Sequence, residues 1–153
     1  MQPSALVLAF VGAINSHDVP RIVAMCAPDH QFVDAYGNTV GAERLHEAWT
    51  GYFTFMPSYG IEVETVLAEG DLVALFGTAW GNLDGEGGKR EWRRPAAWRA
   101  RVQGELIQLW QVYVDTKAVF DLATQKHRAI VEPGGLGGAA RSPQPSSPTK
   151  AQI

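Results

Sequence analysis

The sequence predicts an α+β domain, with helices first and a curved, mostly antiparallel sheet after them. Three observations predict it. Apolar residues recur at helical spacing early in the chain, as Leu6, Phe10, Ala13 and Ile14, then Leu45, Trp49, Tyr52, Phe53 and Met56. From residue 61 to 115 the period shortens to two, as in Trp98, Ala100 and Val102 set against Arg99 and Arg101. Turn signals at Gly70-Asp71, Asp84-Gly85 and Gln103-Gly104 cut that stretch into four strands. Helices followed by strands joined through tight turns describe an α+β fold. Helices covering one face of a curved sheet leave a concave space suited to a ligand.

Each element has its own signals. Pro3-Ser4 opens the first helix, with Ser4 as the expected N-cap, and Asn15-Ser16-His17 breaks it. Asp18 caps a second helix over 19–26, with Pro20 in its first turn; Pro28-Asp29 ends it. A short strand over 31–35 leads into a turn at Tyr36-Gly37-Asn38. The third helix runs from Gly41 to Met56-Pro57, with Glu43, Arg44 and Glu47 facing water. In the strand over 61–69, Ile61, Val63, Thr65 and Leu67 share one face, Glu62 and Glu64 the other. Strands over 72–81, 92–102 and 106–115 follow, the first two joined by the loose loop Asp84-Gly85-Glu86-Gly87-Gly88. Asp115 and Thr116 cap a terminal helix over 117–125. The folded domain is therefore 1–127. The remaining 128–153 is a Gly/Pro/Ser-rich tail that cannot bury a core and is expected to be flexible.

Composition narrows the function. The 153 residues are 46% hydrophobic and 19% charged, with net charge -3, an ordinary globular balance. No clustered basic face suggests nucleic acid: the run Lys89-Arg90-Glu91-Trp92-Arg93-Arg94 reads as a solvated hairpin shoulder. The apolar stretch 5–14 is too short to span a bilayer and follows no basic leader, so no membrane partner and a cytoplasmic location are expected. Cys26 is the single cysteine and lies in an apolar run, which suits a buried small hydrophobe. His17, His30, His46 and His127 lack metal-ligand spacing, and no phosphate-binding glycine loop follows a strand, so neither metal nor cofactor is expected.

Ala9-Phe10-Val11-Gly12-Ala13-Ile14-Asn15-Ser16-His17-Asp18 resembles the first helix and Asn-x-x-Asp junction of the SnoaL-like and NTF2-like superfamily. Ala27-Pro28-Asp29-His30-Gln31-Phe32-Val33-Asp34 and the Trp-x-x-Tyr-x-Asp run ending at Asp115 resemble its first and closing strands. The resemblance covers about 4–125. It implies a cone of three N-terminal helices on the sheet, enclosing a pocket, and a homodimer paired through the outer sheet face. Trp92, Leu109 and Tyr113 are the candidate contributors to that face.

It also places candidate residues. Asp34 falls on the position of the proton-abstracting Asp of ketosteroid isomerases. The partners of that base are replaced: the isomerase's oxyanion-hole Tyr by Phe10, its supporting Tyr by Trp49, its protonated Asp near Trp98. The Arg-x-Asp pair of epoxide hydrolases has no counterpart in Phe76-Gly77-Thr78-Ala79-Trp80-Gly81, and the last-strand Asp of cyclases is Val112. Phe10, Trp49, Phe53, Trp80, Trp98, Trp110 and Val112 are the expected pocket lining, suited to a flat hydrophobic molecule with an oxygen acceptor.

Two functions follow. Asp34 acts as general base in cofactor-free isomerase, cyclase or lyase chemistry, desolvated by its aromatic surround. Alternatively, the chain is a non-catalytic ligand-binding or dimerisation module, and Asp34 caps the Tyr36-Gly37 turn.

Overall fold

In the computed structural model, residues 1–131 are described, with side chains to Thr124. The order is α1 (Pro3–Asn15), α2 (Val19–Ala24), β1 (Cys26–Val33), β2 (Thr39–Gly41), a 3₁₀ turn (Ala42–Arg44), α3 (Leu45–Phe55), β3 (Gly60–Glu69), β4 (Leu72–Asn82), β5 (Glu91–Gln103), β6 (Leu106–Val114) and α4 (Thr116–Val131). One curved, open sheet takes the order β2-β1-β6-β5-β4-β3. β1 and β6 pair in parallel; every other pair is antiparallel. The fold is thus α+β with a mixed sheet. Its fourth helix is C-terminal, so the helices are not all gathered ahead of the strands.

α1 lies against the sheet and touches β3, β4, β5 and β6. Leu6, Val7, Phe10, Val11, Ala13 and Ile14 form its buried stripe. Gln2 is the N-cap, two residues before the Ser4 cap expected, and Pro3 occupies the first turn, where the missing proline N–H is no loss. α2 is shorter than expected. It stops at Ala24, and β1 begins at Cys26, so Pro28 and Asp29 lie in a strand rather than at a helix end. The register against β6 slips between Cys26 and Gln31. His30, in that irregular stretch, donates Nδ1–H to the Ile107 carbonyl at 2.7 Å, and burial holds its imidazole below its ordinary pKa. Cys26 is half-buried, donates to the Ile22 carbonyl, and burial pushes its thiol up to about 12.

β3 departs from simple alternation. Ile61 and Val63 face inward as expected, but a bulge between Val63 and Thr65 exchanges the faces beyond it. Thr65 and Leu67 therefore pair with the outward residues Phe76 and Ala74, and Val66 turns inward beside Leu75. Gly77 makes the bulge possible: a Cβ there would lie 1.8 Å from the Glu62 carbonyl oxygen. β5 follows its expected pattern, with Ala96, Trp98, Ala100 and Val102 buried. The same alternation carries Trp92 inward, so it does not contribute to the outer face: it is 5% exposed and donates Nε1–H to Met56 Sδ at 3.3 Å. Asp115 accepts from the Lys117 amide and caps α4, as its position predicts. α4 runs on to Val131, past the expected end at 125. The tail from residue 132 lies outside the described residues.

Two glycines give opposite expectations. Gly77→Ala should cost about 1–3 kcal/mol or more, because the clash is with backbone that cannot rotate away. Gly12→Ala, on the exposed side of α1 with nothing within 4 Å, should stabilise by about 1 kcal/mol. Thermal melting of the two variants beside the parent checks both signs.

Candidate functional site

The candidate site lies at the end of the sheet where β1 and β6 finish, β4 ends and β3 and β5 begin. Its geometry starts from the end of α1. Asn15 donates Nδ2–H to the Ile61 carbonyl and accepts from the Ile61 amide, both at 2.9 Å. Two bonds to one residue dock the helix end on the edge strand. His17 follows with φ 55, a left-handed backbone that a non-glycine residue adopts only at a cost. Its side chain is well anchored there. Nε2–H donates to the Tyr59 carbonyl at 2.7 Å, and the ring stacks on Phe53 with centroids 3.9 Å apart and planes 8° apart. Asp18 then accepts from the Arg21 amide and caps α2. The Asn15–Asp18 junction is thus a set of struts, not a metal site. His30 lies on β1 and bonds elsewhere, and among the described residues no cluster of three metal-ligating side chains forms.

Inside the sheet's concavity sits an aromatic cluster. Phe10 meets Trp110 at 5.1 Å and Trp49 at 6.5 Å between ring centroids; Trp49 meets Phe53 at 5.4 Å; Trp98 stacks on Trp110 at 6.3 Å. Val112 is the cross-strand neighbour of Trp98. Phe10, Trp49, Phe53, Trp98, Trp110 and Val112 are therefore brought into one buried core. Trp80 is not among them. It stands outside that core, half-buried, with the Arg93 guanidinium 4.9 Å from its ring centre. Arg93 in turn pairs with Glu62.

The cluster contains unsatisfied polar atoms. The indole N–H groups of Trp49, Trp98 and Trp110 are buried without a hydrogen-bond partner, and so is the Tyr59 hydroxyl. Trp98 lies close enough to Tyr59 to draw its phenol pKa down somewhat, without completing a good hydrogen bond; burial dominates and holds that pKa well above the ordinary value.

Asp34 is 1% exposed, and its carboxylate is turned into its own turn. Oδ1 accepts from the Tyr36 and Asn38 amides, each at 2.9 Å, and Oδ2 accepts from Asn38 Nδ2 at 3.1 Å. This is turn-capping geometry, and it fixes the β1–β2 hairpin. Above it, α4 roofs a void of about 20 Å³ bounded by Tyr36, Tyr52, Trp92, Thr116 and Val119. On the far side of the same end a cleft of about 650 Å³ opens, lined among others by Asn15, His17, Ser58, Tyr59, Trp80 and Glu91.

Sequence reasoning missed Tyr59, which stands between the cleft and the aromatic cluster. Its signal was weak: one tyrosine in Pro57-Ser58-Tyr59-Gly60, a segment that reads as a loop. Gly60 is needed beside it, since a Cβ there would lie 2.4 Å from the Trp80 ring.

The Asp34 geometry makes a measurable distinction. Asp34→Ala should lose about 0.5–2 kcal/mol, as lost caps do, because two backbone amides lose their acceptor. Asp34→Asn keeps an acceptor oxygen and should cost less. Urea denaturation of both variants checks the order; an Ala variant as stable as the parent would remove the capping role.

The SnoaL-like domain family matches residues 7–110. No curated protein matches the chain. Solved structures share its fold at low identity. A ketosteroid isomerase-like protein from Catenulispora acidiphila, in complex with trimethylamine, has a TM-score of 0.68 at 22% identity, covering 76% of this chain and 90% of its own. A candidate SnoaL-like polyketide cyclase from Shewanella putrefaciens has a TM-score of 0.70 at 15% identity, covering 82% and 87%. IdmH, a candidate polyketide cyclase from Streptomyces antibioticus, has 0.67 at 20%, covering 80% and 99%. At these identities the likeness establishes the fold, while the family match spans well over half of the sequence: the chain is a member of the SnoaL-like family, with the NTF2-like fold.

Proposed function

We propose that the chain binds a small, neutral, cyclic hydrophobic molecule bearing oxygen acceptors, held within the aromatic concavity of its cone. One observation carries this reading: three buried indole N–H groups, on Trp49, Trp98 and Trp110, lack partners in a single cluster. Each unpaired buried donor costs about 1–3 kcal/mol. A carbonyl, ether or hydroxyl oxygen from a ligand removes that cost, and Phe10, Phe53 and Val112 supply apolar walls. Among the described residues the buried polar set is His30, Asp34 and Asn82, with no buried cation to meet an anionic ligand. The candidate polyketide cyclases among the structural relatives fit the same ligand class.

The catalytic version of this reading makes Asp34 the base of an isomerase, cyclase or lyase reaction. A general base must present a lone pair to substrate within hydrogen-bond reach. Three bonds from its own turn support the binding version instead. So does the replacement of its catalytic partners by Phe10, Trp49 and Trp98.

Anthrone, a neutral tricyclic ketone, is a suitable probe. It should change the tryptophan fluorescence of the full chain on titration. Trp98→Phe, which removes one donor and keeps an aromatic ring, should weaken binding about tenfold, equivalent to about 1.4 kcal/mol. Unchanged affinity in that variant would remove the indole as a donor.

The second proposed partner is another copy of the chain. Phe76, Ala97 and Tyr113 are cross-strand neighbours in one row of the outer face, and Phe76 and Tyr113 are each 46% exposed. Leu67 extends the patch at 59% exposure. Light scattering at micromolar concentration should give a dimer, and Phe76→Glu a monomer; a monomeric parent chain would end the idea.

A further inference from the structure

Resting on the binding reading above, we infer that Tyr59 is the door to the buried indoles and that the cleft beside it is the entrance. Among the described residues, two barriers at this end separate solvent from the core that holds Trp98. The first lies under α4. Only about 20 Å³ is empty there, and entry requires lifting a helix whose Val119, Leu122 and Ala123 pack on the core. The second barrier is one side chain thick. Tyr59 lines the 650 Å³ cleft, yet it is 2% exposed and its ring meets Tyr52 at 5.0 Å and Trp92 at 6.3 Å. Among the residues lining that cleft, Tyr59 belongs to the buried core that also holds Trp98, whose indole N–H is unpaired.

The surroundings let this side chain move while its backbone stays. The Tyr59 carbonyl is held by His17 and its amide by the Met56 carbonyl at 3.1 Å. Its hydroxyl has no good partner to lose. Rotation about the side-chain torsions would swing the ring into the cleft, where Pro57 and Trp80 offer apolar surface. In the closed form the buried ring separates the cleft from the core; in the open form a ligand passes it. Tyr59 is therefore a gating residue of the binding site.

Acrylamide quenching of tryptophan fluorescence tests the door without any ligand. Trp80→Phe is the background, since Trp80 alone of the five indoles is outside the buried core. In that background Tyr59→Leu should raise the bimolecular quenching constant severalfold. His17→Ala, which keeps the ring but frees the 59 carbonyl, should raise it less. Leu122→Ala on α4 should leave it unchanged. An increase from Leu122→Ala that equals or exceeds that of Tyr59→Leu would place the entrance under α4 and overturn the inference. So would a Tyr59→Leu variant that quenches like its parent. Circular dichroism verifies folding, and if Tyr59→Leu does not fold, His17→Ala against Leu122→Ala carries the same contrast. The ligand arm is separate: stopped-flow association of anthrone should quicken in Tyr59→Leu. If quenching responds as expected while anthrone and related cyclic ketones bind neither parent nor variant, the door stands and the binding reading fails.

Discussion

The double hydrogen bond between the Asn15 side chain and the Ile61 backbone is the constraint from which the functional end is built. β3 is the edge strand and would otherwise have an unpaired backbone at its start. Asn15 satisfies both groups of Ile61 and so fixes where α1 stops over the sheet. One turn back along the helix, that placement puts Phe10 between Trp49 and Trp110. Two residues on, it puts His17 where its ring can stack on Phe53 and its Nε2 can hold the Tyr59 carbonyl. The left-handed backbone at His17 fits this account. Glycine would adopt it without strain, but glycine would supply neither the stack nor the bond.

Side-chain omission shapes the same region. A Cβ on Gly81 would lie 2.6 Å from Met56 Cγ and 3.0 Å from Trp92 Nε1, so the glycine leaves the space in which those two side chains meet. Gly60 does the same for Trp80 on the other side of the strand pair. Large aromatics thus close the end of the sheet by lying over bare backbone. Such packing is dense, yet it leaves the indole donors of Trp49, Trp98 and Trp110 without acceptors. A core selected for stability alone would be expected to satisfy or replace them, as the great majority of buried polar groups are satisfied. Unsatisfied donors held in a rigid aromatic frame are the feature on which the proposed binding of an acceptor rests.

Much of this was legible in the sequence because it depends on local period. The stripe of α1, the inward set of β5 and the Asp115 cap follow from spacing alone. The aromatic cluster was legible too, through the resemblance, as far as Phe10, Trp49, Phe53, Trp98, Trp110 and Val112. What was not legible depends on pairing between distant segments. The β3 bulge is set by Gly77 of the neighbouring strand, so counting by twos through Thr65 and Leu67 gave the wrong face. β2 is three residues long and exists only through its partner β1. The α2–β1 boundary is fixed by the Ile107 amide bonding to the Met25 carbonyl, a contact across the whole domain. Tyr59 was hidden for the same reason: its importance comes from what stands on either side of it.

Asp34 falls, by the resemblance, on the position of an isomerase base, and its bonds are those of a turn cap. In the isomerase pattern the carboxylate at the end of the first strand needs an oxyanion hole opposite it, since removing a proton beside a carbonyl puts negative charge on the carbonyl oxygen. The resemblance puts Phe10, Trp49 and Trp98 at or near the hole positions. A base without that stabilisation has little to gain from facing a substrate. A carboxylate at a hairpin end has much to gain from accepting its own turn amides, and Oδ1 takes two of them. The indoles, in turn, are neutral donors able to orient a ligand oxygen. The residues that the resemblance places around Asp34 and the bonds Asp34 makes therefore both favour the proposed binding reading over the catalytic one.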